Sequence, residues 1–331
     1  MSPPRSKPAP PEERIHVNVG PVCNNNCLFC MEHDRHDRAR VNGALTPQRV
    51  REILQRGRGA AEVCFTSGEP TLVPSLTRYV GWARRLGYGR VSVMTNGRRL
   101  AYADYCATLV QAGLTHLYLS IHGHEARLHD GLVRTPGAFA QTVAGLDNAA
   151  RLGVALHTST VVNRRNLPFL AEIYRYLRDR GVRQVVFNAM QATGRAETHF
   201  ERLFPSYAEI VGVYGSFLEG LDEERPQVFL VDVPPCATED LPMHNRGVLE
   251  QYVHYEVGAD TTSPGGDEPS PHRVAVGRSR DMVQISRADH DTWQRSKRPA
   301  CAVCLHDAVC PGVWNRYIDG HGWDGLDPVE E

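Results

Sequence analysis

Ile15-His16-Val17-Asn18-Val19-Gly20-Pro21-Val22-Cys23-Asn24-Asn25-Asn26-Cys27-Leu28-Phe29-Cys30 joins a strand to a metal signal. Ile15–Val19 is a short apolar run of strand character. The cysteines follow at once, so they sit on a loop at the C-terminal end of that strand. Their spacing, C-x3-C-x2-C, gives three thiolates on one tight turn. A structural zinc site closes with four ligands. A 4Fe-4S cluster held by three cysteines leaves one iron open to a substrate or cofactor. A zinc knuckle completed by His33 or His36 is the competing reading.

The strand signal recurs. Glu62–Thr66, Arg90–Thr95, His116–Ile121, Ala155–Val162 and Gln184–Asn188 are apolar runs rich in Val, Ile, Leu or Phe. Helical patterns separate them: Thr46–Gln55, Pro74–Leu86, Tyr102–Ala112, Phe139–Leu152 and Leu167–Arg180. Gly57, Gly87, Gly113, Gly153 and Gly181 stand where those helices should close. Such alternation predicts an α/β fold with a parallel sheet and crossover helices. Periodicity alone leaves a doubly wound sheet and an incomplete (β/α) barrel equally open. In both, ligands gather at the C-terminal ends of the strands.

The chain has 331 residues, 41% of them hydrophobic and 23% charged, and a formal net charge of -1. That balance gives no global pull toward nucleic acid or an anionic membrane, so neither is an expected partner. No apolar run is long enough to span a bilayer. The polar, Pro-rich start MSPPRSKPAPPEER lacks a secretory core, so residues 1–14 are expected to be a disordered tail and the protein cytoplasmic. In a reducing compartment clustered cysteines point to metal or redox chemistry rather than disulfides. Six of the nine form two groups, Cys23, Cys27, Cys30 and Cys301, Cys304, Cys310. Cys64 and Cys106 fall on a strand and a helix and read as core thiols.

C-x3-C-x2-C with an aromatic before the last cysteine resembles the signature of the radical S-adenosylmethionine (SAM) superfamily. The resemblance implies a partial (β/α)6 TIM-like barrel over residues 15–200. It implies that the open iron of a 4Fe-4S cluster on Cys23, Cys27 and Cys30 takes the amino and carboxylate groups of SAM, with Phe29 near the adenine. Thr66-Ser67-Gly68-Glu69-Pro70 resembles the family's Gly-Gly-Glu motif, which binds the amino group of SAM. Ser67 stands in place of the first Gly, leaving Gly68 and Glu69 in register. Polar residues at later strand ends, Asn96, Ser120, His122 and Ser159, match positions that contact SAM in the family. Asn188–Ala196 resembles the family's sixth strand and exit, where backbone flanks the adenine.

The second group reads C-x2-C-x5-C, followed by Pro311-Gly312. Cys236, in the Pro-rigid segment Val233-Pro234-Pro235-Cys236, is the natural fourth ligand. The arrangement resembles the SPASM and twitch auxiliary-cluster domains. It implies a second 4Fe-4S cluster in a small irregular domain over 201–331, with a long loop at 258–300 around a hairpin at Arg273–Val276 and Met282–Ile285. Zinc held with His306 or Cys236 is the alternative.

The implied activity is reductive cleavage of SAM, fed by a flavodoxin or ferredoxin-type reductant, and hydrogen abstraction from a substrate C–H bond. The implied auxiliary cluster either accepts an electron from the substrate radical, for oxidation or coupling, or binds substrate through an open iron; epimerisation needs a hydrogen donor instead, and in each case the expectation is an oxidoreductase or tailoring enzyme. Only 22 residues precede Cys23, so no fused leader-recognition domain is expected. A natural-product intermediate such as a sugar, aminocyclitol or nucleoside is the first expectation, and a ribosomally made peptide the second. A non-catalytic iron–sulfur electron-transfer or zinc-binding protein is the reading from another class.

Overall fold

The computed structural model describes residues 14–31, 45–221, 227–239, 241, 273–276, 283–286, 294–308 and 310–330. Residues 1–13 of the expected tail, His33, His36 and most of the 258–300 loop lie outside the described residues, and Arg14, expected to end the tail, instead begins the first strand. The strands are β1 (Arg14–Asn18), β2 (Glu62–Thr66), β3 (Arg90–Thr95), β4 (His116–Ser120), β5 (Ala155–Val162), β6 (Gln184–Ala189) and β7 (Gln227–Val231). All seven are parallel and pair in chain order, with Arg14 opposite Glu62 and Ser120 opposite Ser159.

That order settles the choice left open by periodicity. Parallel crossovers are right-handed, so crossovers that always step in one direction stack every helix on one face. A doubly wound sheet needs a reversal of strand order, and there is none here. The sheet is a partial barrel, with β1 and β7 at its two ends among the described residues.

Alternation along each strand divides the two faces. In β5, Leu156, Thr158, Thr160 and Val162 are buried, whereas His157, Ser159 and Val161 are half-buried. The buried set joins one hydrophobic core with the helices, including Leu170, Ile173, Tyr174 and Leu177 of the helix Leu170–Arg178. The other set lines the hollow face.

The alternation runs one unit further than the sequence patterns indicate. The helix Tyr207–Glu219 and β7 extend the sheet past residue 200. A helix at Ala126–Val133 also interrupts the β4–β5 connection. The expected hairpin is present as Arg273–Val276 paired antiparallel with Val283–Ser286. The C-terminal segment docks through aromatics. Tyr317 stacks on Tyr207 at 4.1 Å between ring centroids, and its hydroxyl accepts from the Tyr207 amide at 3.1 Å.

At the N-terminal ends of the strands a charged network fills the hollow. Glu62, 1% exposed, bridges Arg14 and Arg90 and accepts from Ser92 Oγ at 2.6 Å. Burial works against its charge, but Arg14, Ser92 and Arg90 outweigh burial and hold the carboxyl below its usual range.

Among the described residues no helix is long and apolar enough to cross a membrane.

Candidate active site

The Cys23–Cys30 loop leaves β1 at the C-terminal edge of the sheet and is tied down from several later segments. Cys23, Cys27 and Cys30 are half-buried and in no disulfide. The loop's three asparagines each meet a different partner. Asn24 Oδ1 accepts from Asn96 Nδ2 at 2.7 Å, just past β3. Asn25 Oδ1 accepts from Arg98 Nη1 at 3.0 Å. Asn26 is held by Arg195, beyond β6, whose guanidinium donates to its carbonyl at 3.1 Å and also to its side-chain oxygen. The backbone is tied as well. The Asn26 and Leu28 amides donate to Val133 O and Leu132 O, each at 3.0 Å, and Cys30 O accepts from the Arg195 amide at 2.9 Å. The asparagine and arginine partners are invisible to a reading of local pattern, because each lies about 70 or 170 residues away along the chain.

The turn after β2 locks onto this loop. Glu69 N donates to Val22 O at 2.8 Å. Gly68, at φ 54°, lies so close that an added Cβ would sit 2.6 Å from both Gly20 O and Val22 O. Ser67 adopts φ 74°, a left-handed backbone that an L-residue with a side chain rarely takes. Glu69 itself is 1% exposed. Its Oε1 accepts from the Thr71 amide at 3.0 Å and from the Thr71 and Thr95 hydroxyls at 2.5 Å. Its Oε2 accepts from the Asn96 amide at 2.7 Å. Burial raises its pKa despite these bonds. The carboxylate thus clamps the ends of β2 and β3 together, and the backbone of the 67–69 turn faces the loop.

Asn96 completes the clamp. It is buried, and its Nδ2 lies 3.9 Å from Cys23 Sγ. His122 is buried behind Phe29, whose ring meets it edge-on at 4.6 Å. His122 Nδ1 accepts from the Val161 amide at 3.2 Å, and burial, then His129, push its pKa well down. It is a neutral support for Phe29. Ser120 and Ser159 are half-buried neighbours on β4 and β5. Asn188 on β6 donates to Ser159 Oγ at 2.7 Å, which makes a row of neutral polar groups across three strand ends. Cys64 and Cys106 are fully buried, and burial pushes the Cys64 thiol up to about 11.

A second site lies beyond β7. Cys236, Cys301, Cys304 and Cys310 line one small cavity of about 30 Å³, with Pro234, Pro235 and Trp323 in its wall. His306 lines it too. The Cys236 thiol is pushed up to about 11 by burial and by the neighbouring Cys310, Cys304 and Cys301. Gly312 N donates to Cys310 Sγ at 3.4 Å. Among the described residues no three His, Cys, Asp or Glu side chains converge tightly enough for a single metal ion. The four thiols stand around a space rather than at a point.

Residues 17–177 match the family model described as Radical SAM superfamily. Among curated proteins, the AdoMet-dependent heme synthase of Oleidesulfovibrio alaskensis is 28% identical over 176 residues, 53% of this chain and 44% of that protein. The probable GTP 3',8-cyclase of Saccharolobus solfataricus is 29% identical over 197 residues, 58% of this chain and 61% of that protein. The matches thus span about half the length of these relatives. Two solved structures share the fold. Streptococcus suis SuiB bound to precursor peptide SuiA superposes with a TM-score of 0.57 at 14% identity, covering 69% of this chain and 51% of that one. Native anSMEcpe with bound AdoMet gives 0.52 at 17% identity, covering 65% and 64%.

Proposed function

We propose, from the premise that this chain carries a radical SAM domain, that it is a radical SAM enzyme with two iron–sulfur centres acting on a small polar substrate. The carrying observation is the Cys23–Cys30 loop: three thiols on one turn, pinned by Asn96, Arg98, Arg195 and the 67–69 backbone. The donor set fits a cluster with one open iron. When bound, that cluster would supply the one electron for reductive cleavage of SAM, and with it the means to take hydrogen from a substrate C–H bond.

The chain's own residues do the positioning. Cys23, Cys27 and Cys30 would hold the cluster. Gly68 lets the turn approach the loop, and the backbone at Ser67 and Gly68, fixed in place by the Glu69 carboxylate, would take the ammonium of SAM. Phe29, backed by His122, would pack by the adenine. Asn96 braces the cluster loop through Asn24, while Ser120 and Ser159, the latter bonded by Asn188, supply neutral hydrogen bonds along the hollow face. This row carries no charge, which suits a polyol or nucleoside-like substrate better than an acidic one.

Cys236, Cys301, Cys304 and Cys310 would hold the auxiliary 4Fe-4S cluster. Four thiols around one cavity would complete its ligand set and leave no iron open, which favours a role as acceptor of an electron from the substrate.

Anaerobic reconstitution tests this reading, with iron and sulfide counted and 5′-deoxyadenosine measured after dithionite and SAM. Two clusters' worth of iron with 5′-deoxyadenosine is the expected result. Zinc at either site, or clusters with no SAM binding, would overturn it. Turnover of a peptide in place of a polyol or nucleoside would overturn the substrate assignment alone.

A further inference from the structure

The turn after β3, Asn96-Gly97-Arg98-Arg99, is aimed at the Cys23–Cys30 loop. Gly97, at φ 74°, makes a left-handed bend that a side chain would block, since an added Cβ would lie 2.5 Å from Leu119 Cδ2. The bend is locked on several sides. Gly97 N donates to Thr95 Oγ1 at 3.0 Å, and Asn96 O accepts from Thr142 Oγ1 at 2.8 Å. Gly145, on the helix Ala138–Arg151, packs so close that a Cβ there would collide with Gly97 O. Asn96 and Arg98 are thus carried on a rigid turn.

The two arginines of the turn go different ways. Arg99 donates to Thr71 O at 2.8 Å and lies over the Tyr105 ring. Arg98 reaches the cysteine loop, where its Nη1 donates to Asn24 O at 2.6 Å and to Asn25 Oδ1 at 3.0 Å. Its Nε donates to Gln141 Oε1 at 2.7 Å. All three acceptors are neutral, and among the described residues Arg98 forms no ion pair. Its positive charge therefore stands uncompensated against the loop that carries the thiols. Cys23 meets the same turn. Its Sγ accepts from the Asn25 amide at 3.4 Å, and Asn96 Nδ2 lies 3.9 Å away, within reach of a sulfur acceptor. Asn96 is held at that place by Asn24 Oδ1 at 2.7 Å and by the Arg98 amide, which donates to Asn96 Oδ1 at 3.1 Å. Glu69, the carboxyl bonded to the Asn96 amide, shares its charge among two amides and two hydroxyls.

We propose that Asn96 and Arg98 are positioning residues that set the reduction potential of the first cluster, an inference that rests on Cys23, Cys27 and Cys30 being its ligands. Reduction adds one electron to the cluster from an external low-potential donor; no bond breaks and no proton moves. N–H groups at a ligand sulfur and a positive charge beside it both favour the more negative, reduced state. Removing either makes the cluster harder to reduce. For Asn96 this is a different task from the SAM contact expected of its strand-end position.

The test is a potentiometric titration of the reconstituted full chain without SAM, followed by electron paramagnetic resonance, in which the signal absent from Cys27→Ala belongs to the first cluster. Gln141→Glu is the mildest variant. Gln141 is exposed, and a carboxylate there keeps the bond to Arg98 and neutralises its charge while every bond to the loop remains. Its midpoint should move to a more negative potential. Arg98→Gln should move it further, by about tenfold in the ratio of reduced to oxidised cluster at a fixed potential, which is about 59 mV for one electron. Asn96→Leu, which removes the side-chain donors, should shift it in the same direction, and Arg98→Lys, which keeps the charge, should stay closer to wild type than Arg98→Gln. Iron and sulfide counts separate tuning from support: full loading with a shifted midpoint is the expected result. Full loading with a wild-type midpoint in Gln141→Glu and Arg98→Gln would overturn the proposal. If Arg98→Gln and Asn96→Leu load poorly, Gln141→Glu decides alone, and an unmoved midpoint there overturns it. A wild type without any signal that Cys27→Ala removes would overturn the cluster reading and this role with it, whereas a signal whose midpoint stays put overturns this role only.

Discussion

The loop at Cys23–Cys30 takes its hydrogen bonds from β3, from beyond β6 and from the helix Ala126–Val133, whereas Cys301–Cys310 bonds mainly within its own segment. In the second group, Cys304 N donates to Cys301 O, Asp307 N to Cys304 O and Cys310 N to His306 O. Lys297 bonds Asp307, and Leu305 N reaches Val329 O. Only Cys236 arrives from the sheet side, and the segment is moored by aromatics such as Tyr317. The first loop is fixed by bonds from several segments of the barrel. On the proposed assignment, the second would rely on its metal to join Cys236 to the other three thiols, as expected for a small region with little core of its own.

The largest expected effect breaks the first site. Gly68→Ala forces a Cβ against the Gly20 and Val22 carbonyls and strains a positive φ. It should cost about 3 kcal/mol or more, measured as a fall in the denaturation midpoint together with lost cluster loading. A wild-type midpoint and full loading would mean that the turn does not shape the loop.

Chelation should separate the two regions. Stripping metal should open residues 294–330 to limited proteolysis while residues 45–221 stay resistant, because only the former lack independent packing. Equal resistance of both would erase the contrast drawn above.

Ser67→Gly makes the finest distinction. Relief of the left-handed backbone opposes the greater freedom of glycine in the unfolded chain, so stability should rise by only a few tenths to about 1 kcal/mol. A loss of stability with intact cluster loading would give the Ser67 side chain a task of its own.

Much of the fold was legible because its signals are local. Glu62–Thr66, Arg90–Thr95 and Ala155–Val162 have the same bounds in the sequence reading and in the structure, each an apolar run with a sharp edge. β7 was missed because Val228–Val231 follows a charged stretch, and the preceding helix carries Gly212 and Gly215. Tertiary pairing with β6 makes it a strand, and local pattern does not record that. At the site, thiols and strand-end polar residues announce themselves by type and place. The partners of Asn24, Asn25 and Asn26 do not, nor does the saturation of the Glu69 carboxylate, since both depend on groups that only the fold brings near. The Glu62 network was hidden for the same reason: Arg14, Glu62 and Arg90 meet only once three strands align in register.

The central claim is that the Cys23–Cys30 loop holds a cluster with an iron open to SAM and that the C-terminal site holds a separate one. Electron paramagnetic resonance of the dithionite-reduced protein, with and without SAM, tests it most directly. The expected result is two signals, one that changes on adding SAM and vanishes in Cys27→Ala, and one that persists unchanged in that variant. A spectrum indifferent to SAM, or one that survives Cys27→Ala intact, would contradict it.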